Sequence, residues 1–351
     1  MHAIVYHGPG DKRWEEVPDP KLIDDTDAIV RVDTATICGT DLHILKGDVP
    51  AVTPGRILGH EAVGTVLETG PSVRTVREGD RVLLSCISAC GHCRFCRLGQ
   101  YGQCLGGGGW IFGHLIDGVQ AEYARVPFAD TSTYKFPEEL TDEQVVYLAD
   151  ILPTGYEVGV LNGRVQPGDT IAVVGAGPIG LAAILGAKLY SPAAIVAIDP
   201  VPARRQWATT FGATAAVAPD QANAVIEGLT DGLGADVAIE AVGIPETFEQ
   251  ATALIRPGGH VANVGVHGKP AILHLESLWI RNVTITTGLV DTFSTPTLLR
   301  AVATGQIDST RFTTHRFPLD QTMDAYDTFA RAGDTNALKV LLTNDQATTR
   351  S

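Results

Sequence analysis

Basic residues are scarce in this chain. Its 26 lysines and arginines face 40 aspartates and glutamates, a formal charge of −14 over 351 residues. A surface that acidic repels phosphate backbones and anionic headgroups, so neither nucleic acid nor a membrane is an expected partner. Long apolar runs are missing too. The longest, 171–187, is broken by Gly175, Gly177, Pro178, Gly180 and Gly186 and falls short of the ~20 residues that a membrane span needs. The first residues, Met1 to Gly8, lack the basic start and apolar core of a signal peptide, which makes the cytoplasm the expected compartment. No internal repeat or low-complexity tract interrupts the sequence. What remains is globular in composition, with 44% hydrophobic and 19% charged residues. At ~150 residues per domain, the length suggests about two domains.

The two halves carry different periodicities. Residues 1 to about 150 read as short strands joined by turns: 28–32, 62–67 and 79–84, with Gly79-Asp80 turning into the last. From about 165 onward strand-like runs alternate with helical stretches. The runs are Thr170–Val174, Ala194–Ile198, Ala213–Val217, Asp236–Glu240, His260–Val264 and Val283–Thr287. Helix-compatible segments at 180–189, 203–211 and 245–255 lie between them. That alternation predicts a doubly wound parallel sheet beside a mostly β domain of barrel or sandwich type. After Leu289 come two more helical patterns and a closing strand, 339–342.

Gly175-Ala176-Gly177-Pro178-Ile179-Gly180 fits G-x-G-x-x-G, follows the apolar run 171–174 and opens a helical stretch. In that context the pattern reads as a dinucleotide turn. Gly175 allows the tight turn, Gly177 lets the backbone approach a pyrophosphate, and Gly180 lets helix pack on strand. Asp199 ends the second strand, 19 residues after Gly180. An acid there accepts ribose hydroxyls and repels a 2′-phosphate, which favours NAD over NADP. Asp199 could instead cap the turn before Pro200 and Pro202, and Arg204 and Arg205 could in principle hold a phosphate.

Four of the six cysteines, Cys90, Cys93, Cys96 and Cys104, follow the spacing C-x2-C-x2-C-x7-C. Four thiolates on one loop close a tetrahedron around zinc and leave no open position, so the site would be structural. His92 is an alternative ligand, and disulfides or a redox pair are rival readings. A second set is dispersed: Cys38 in Cys38-Gly39-Thr40-Asp41-Leu42-His43, and His60 in Gly59-His60-Glu61. A catalytic zinc needs a third protein ligand and an open position. Asp150 qualifies as the only charge in 145–152, after a helix whose start carries the capping box Thr141-x-x-Gln144. A buried Cys38 and a hydrogen-bonded His60 with no metal would fit the spacing equally well.

Together these motifs, in this order, resemble the zinc-dependent medium-chain alcohol dehydrogenases, and most nearly the bacterial tetrameric branch in which Asp is the third catalytic zinc ligand. The segment from Gly109-Trp110 through Asp117-Gly118 to Glu122-Tyr123 is similar to that branch as well. The resemblance implies a GroES-like β-barrel catalytic domain over 1–152 with a zinc lobe at about 86–108. It implies a Rossmann domain over 153–288 and a return to the first domain over 289–351. It implies two zinc ions per chain, with Cys38, His60 and Asp150 on the catalytic one and Glu61 beside it. Asp41 would orient His60, and Thr40 and His43 would relay a proton. Thr154, Val266, Lys339 and Arg204 would contact the cofactor, and Trp110 and Leu289 would line the substrate pocket.

The implied reaction is reversible hydride transfer between NAD and a small primary or secondary alcohol, giving an aldehyde or ketone, in a homotetramer. Polyol or formaldehyde oxidation within the same family, and a zinc- and nucleotide-binding scaffold without chemistry, are the alternatives. In two respects the chain departs from the secondary-alcohol enzymes it resembles. Those often use NADP and lack the four-cysteine lobe, whereas this chain has Asp199 and all four cysteines.

Overall fold

A strand buried on both faces must be apolar along its whole length, and the run at 170–174 meets that demand. In the computed structural model, which describes residues 1–344, every residue of the strand Thr170–Val174 is buried, as is every residue of Ala194–Ile198. These two strands belong to a six-stranded sheet with Ala215–Val217, Ala235–Glu240, Ile255–Asn263 and Thr284–Thr287. Taken in chain order, the strands lie side by side as third, second, first, fourth, fifth and sixth, all parallel. Order reverses beside the first strand, the point at which ligands bind in doubly wound sheets. The six expected strands are all present. The third begins two residues later than expected and the fifth five residues earlier. Helices Pro178–Lys188, Pro202–Phe211 and Pro245–Leu254 take the expected places, each with proline in its first turn, where a missing N–H costs little.

The sheet and its helices form one unit, Ile151–Val290; the other unit is Met1–Asp150 together with the segment from Asp291 onward. This second unit is mostly β. Its larger sheet runs Thr313–Pro318, Lys339–Thr343, Ala28–Thr36, Ala62–Thr69, Arg81–Leu84, Thr133–Lys135, and Tyr123–Val126 also pairs with Ala28–Thr36. A three-stranded sheet of His2–Gly8, Asp11–Glu16 and Arg56–Ile57 completes it. Both expected late helices appear, as Thr295–Ala303 and Thr322–Ala330. The closing strand returns the chain to the β unit: Leu341 pairs antiparallel with Thr36, and Leu342 with Ala35. The end of the expected C-terminal segment, 345–351, lies outside the described residues.

The strand 28–36 is longer than its apolar start suggested. Thr34 and Thr36 are buried within it, because it is paired on both edges and its core includes Val30, Val32 and Ala35. Among the described residues no helix is long and apolar enough to cross a membrane.

Candidate active site and metal centres

Antiparallel pairing builds the first cluster. Ala35 lies opposite Ala62, and Ala62 lies opposite Leu84. Chain leaving the first strand therefore reaches Cys38 at the same sheet end where His60 enters the second and Cys86 leaves the third. Asp150 arrives from the short helix Asp142–Val145, whose capping box is formed, followed by a 3-10 turn at Val146–Leu148. The Cys86 N–H donates to Ala149 O at 3.0 Å and ties that arrival in place.

The donor atoms of Cys38, His60 and Asp150 all lie within 4.8 Å of one another. Cys38 Sγ is 3.6 Å from Asp150 Oδ2, and His60 Nε2 is 3.3 Å from the same oxygen. Cys38 and His60 are buried and Asp150 is nearly so. Burial first, then the Glu61 carboxylate, pushes the Cys38 thiol up. Burial opposes a charged His60, yet its bonds to Asp150 and Cys38 outweigh that and lift its pKa well above the ordinary value. The pocket thus calls for positive charge at its centre. Two acceptors in it, Glu61 Oε1 and Asp41 Oδ1, are buried with no hydrogen-bond partner. One sulfur, one imidazole and one carboxylate at this separation fit a zinc ion that keeps a position open.

The neighbours are arranged partly as expected. Asp41 Oδ1 comes only to 3.8 Å from His60 Nδ1, beyond hydrogen-bond reach. Its other oxygen is held by the Cys38 N–H at 2.9 Å and by Gln120 Nε2 at 3.0 Å. Asp41 therefore fixes the start of the helix Gly39–Lys46 at least as directly as it faces the ring. Thr40 Oγ1 is 3.7 Å from Cys38 Sγ. His43 stands one turn on, exposed, with Nδ1 2.8 Å from Asp48 Oδ2. Trp110 lies edge-on to His60, ring centroids 6.4 Å apart, and stacks on His114 at 4.2 Å.

Lys339, expected at the cofactor, meets the residues beside the metal ligands. Its ammonium is buried in the β unit, donating to Glu61 Oε2 and to Ile37 O, because burial of Glu61 demands a countercharge. Two residues of the site were missed. Gln120 bridges Asp41, Thr36 O and the Tyr326 hydroxyl, and nothing in its sequence context marks it. Cys86, buried with Sγ 3.7 Å from Asp150 Oδ1, is a cysteine just ahead of the four-cysteine spacing, and its position outside that spacing was the available signal. Burial, then the Asp150 charge, pushes its thiol well up.

The second cluster is the contiguous one. Cys90, Cys93, Cys96 and Cys104 offer four sulfurs within 4.8 Å of one another, with no disulfide among them. Backbone N–H groups of Cys96 and Leu105 point at Cys93 Sγ and lower its pKa to about 6; those of Cys90 and Gly106 point at Cys104 Sγ. Such donors favour thiolate, the form that holds metal. His92 is turned away, its Nδ1 2.7 Å from Cys90 O, so it is not a fifth donor. Gly106 is required here, since a Cβ would stand 2.6 Å from that of Cys90.

In the parallel-sheet unit the glycine turn is formed. Gly175 has φ +96°, and a Cβ on Gly180 would collide with Gly175 O at 1.9 Å. A Cβ on Gly177 would meet nothing within 4 Å except an Arg204 nitrogen at 3.9 Å. The space that Gly177 leaves clear, at the N-terminus of Pro178–Lys188, fits a pyrophosphate. Asp199 is buried beside it: Oδ2 accepts from the Ala176 N–H at 2.9 Å and Oδ1 from the Val201 N–H at 2.8 Å. It thus also caps the turn after its strand. Arg204 lies 4.0 Å from Asp199, whereas Arg205 is turned back onto the carbonyls of Asp199 and Pro200. Val266 and Leu289 are exposed in this unit, and Thr154 opens a π-helical segment, Thr154–Leu161.

Comparison with known proteins agrees with this layout. The alcohol dehydrogenase GroES-like domain family matches residues 24–138, and the zinc-binding dehydrogenase family matches 178–303. An alcohol dehydrogenase of Cupriavidus necator is 37% identical over 97% of this chain and 98% of its own length. The apo structure of zinc-dependent alcohol dehydrogenase 2 from Streptococcus pneumonia superposes with a TM-score of 0.94 at 49% identity, covering 98% of this chain and 99% of that one. Alcohol dehydrogenase TADH from Thermus sp. ATN1 gives a TM-score of 0.91 at 37% identity, with 98% and 100% covered.

Proposed function

Because the chain belongs to the zinc-dependent medium-chain alcohol dehydrogenase family and is an oxidoreductase acting on small molecules, we propose that Cys38, His60 and Asp150 hold its catalytic zinc. The single observation that carries this reading is the convergence of these three donors within 4.8 Å from distant parts of the sequence. Cys38 as thiolate and Asp150 as carboxylate bring two negative charges, which match a divalent ion. Zinc, when bound, supplies a Lewis acid that acidifies an alcohol and, in reverse, polarises a carbonyl. Thr40 Oγ1, beside Cys38, would accept the alcohol proton while giving its own hydroxyl proton to a cofactor ribose hydroxyl. His43, three residues on along the same helix face and exposed, would take the proton from that ribose hydroxyl and release it to solvent. Glu61 is held by Lys339 behind the ligands, and Asp41 by Gln120, so the ligand-bearing backbone stays rigid. Trp110 offers an apolar wall beside His60.

Gly175, Gly177, Pro178, Ile179 and Gly180 form the pyrophosphate turn for a nicotinamide dinucleotide, and Arg204, Thr154 and Val266 contribute contacts around it. NAD is the cofactor in this reading, since an acid at the tip of the second strand, Asp199, would repel the 2′-phosphate of NADP. The substrate is a small primary or secondary alcohol, or the matching aldehyde or ketone. The four lobe cysteines hold a second, structural zinc. The assembly is a homotetramer, supported by the exposed Leu275, Trp279 and Ile280 ahead of the edge strand Thr284–Thr287. The compartment is the cytoplasm in this reading, since four thiols at metal-ligand spacing suit a reducing environment.

Zinc analysis and a substrate panel test this reading. Two zincs per chain and faster turnover of ethanol or 2-propanol than of sorbitol or formaldehyde, with NAD ahead of NADP, are expected. One zinc, retained only in the lobe, with no turnover of any of the four, would leave an inert scaffold.

A further inference from the structure

The Cys86 side chain belongs neither to the ligand trio nor to the four-cysteine lobe, and the function proposed above makes no use of it. Its surroundings are nonetheless specific. The two oxygens of Asp150 face different partners: Oδ2 is turned to Cys38 Sγ and His60 Nε2, while Oδ1 is turned to Cys86 Sγ at 3.7 Å. One backbone bond of Cys86 and one side-chain bond across its neighbours hold it in register with this carboxylate. Its own N–H donates to Ala149 O at 3.0 Å, and Ile87 N–H donates to Ser85 Oγ at 3.2 Å. Cys86 is buried, with 3% of its surface exposed. Its sulfur is not one of the three donor atoms gathered within 4.8 Å.

A carboxylate can ligate a metal through one oxygen or through both. Which it does depends on what engages the second oxygen, and groups that bond to ligating carboxylates set both orientation and affinity. A thiol is a weak donor, but at 3.7 Å Cys86 Sγ is within reach of Asp150 Oδ1. We propose that Cys86 is a positioning residue: its S–H occupies Asp150 Oδ1, so that Asp150 presents Oδ2 alone to the metal and a fourth position stays open for substrate. This rests on the zinc reading of Cys38, His60 and Asp150.

The test uses the full-length protein with the catalytic zinc exchanged for cobalt(II) and the lobe zinc retained. Cys86→Ala, Cys86→Ser and, as a control, Cys38→Ser are compared with the unaltered chain by loss of cobalt to a chelator and by visible and near-ultraviolet absorption. Cys86→Ala should bind cobalt about tenfold more weakly and show weaker visible bands, as the carboxylate closes on the metal with both oxygens. Cys86→Ser, which keeps a donor, should recover most of both properties. The near-ultraviolet sulfur band from Cys38 should stay unchanged in each Cys86 variant. Cobalt affinity within twofold of the unaltered chain together with unchanged visible bands in Cys86→Ala overturns the proposal. So does a drop of the sulfur band in both variants, which would make Cys86 a ligand. If Cys86→Ala does not fold, Cys86→Val, close to the thiol in size but without a donor, takes its place with the same expectations. Retention of cobalt by Cys38→Ser would instead overturn the zinc reading itself.

Discussion

The β unit gathers cysteines at two places that solve opposite problems. In the lobe, four like donors come from one short stretch, Cys90 to Cys104, with Cys90, Cys93 and Cys104 partly exposed, and their number is enough for a tetrahedral shell. In the other cluster, three unlike donors come from segments as distant as Cys38 and Asp150, and Cys38 and His60 are buried. A complete shell of identical donors leaves nothing for a substrate to displace, so what it supplies is folding energy. An incomplete, mixed shell in a dry pocket stabilises little by itself but leaves room for chemistry. The supporting bonds differ accordingly. The lobe sulfurs are propped by backbone N–H groups of their own loop, whereas the segments that carry the other three donors are propped by side chains distant in sequence, Gln120 on Asp41 and Lys339 on Ile37 O.

This contrast can be broken by exchanging damage between the clusters. Cys38→Ser should lower kcat/KM by about a thousandfold or more, since several kcal/mol of transition-state stabilisation leave with the metal. It should remove one zinc per chain and leave the thermal midpoint almost unchanged; a large fall in that midpoint would show the buried cluster to be structural. Cys96→Ser should do the reverse, lowering the midpoint by about 5–10 °C while the folded fraction keeps its turnover number. An unchanged midpoint would take the structural role from the lobe.

Smaller effects sharpen the comparison from outside the two clusters. Asp199→Gly should reduce the preference for NAD over NADP by about tenfold, roughly the 1.4 kcal/mol of one charged contact, without altering zinc content. A preference ratio that does not move would remove Asp199 from cofactor choice. The smallest effect concerns Asp130, on the short helix whose Thr131 packs on the lobe through Ala89 O. Burial raises the Asp130 carboxyl, but bonds from the N–H groups of Thr75 and Arg74 outweigh that and hold it below its ordinary value. A lowered pKa means that its contribution is present above the unfolded value of 3.8 and is lost as pH falls through the folded one. Asp130→Asn should therefore lower the midpoint by a few degrees at pH 7, and the difference should shrink as the pH falls below 4. A difference independent of pH would rule out the charge as its origin.

How much of this could be read in advance follows from how local each signal is. Cys-x2-Cys spacing, G-x-G-x-x-G after an apolar run, and the Thr141–Gln144 capping box are short-range patterns, and each is formed. The alternation of strands and helices after 165 was legible because strands of a buried parallel sheet are apolar throughout. Asp150 was nameable because a lone charge in an apolar stretch needs a reason. Gln120, Cys86 and the Glu61–Lys339 pair were not read. Each acts through a partner distant in sequence, and no periodicity records such a pairing.

Sequence alone determined which groups were available: the glycines that free a turn, the thiols spaced for one ion, and the acid at the tip of the second sheet strand. These follow from backbone sterics and ligand chemistry over a few residues. Tertiary structure decided how those groups are used. Strand register set Cys38 and His60 at one sheet end, the Cys86 N–H bond to Ala149 O brought Asp150 to them, and Lys339 came to lie against Glu61. The reason is that a buried charge is tolerable only beside its partner, and only the folded chain brings the partner there.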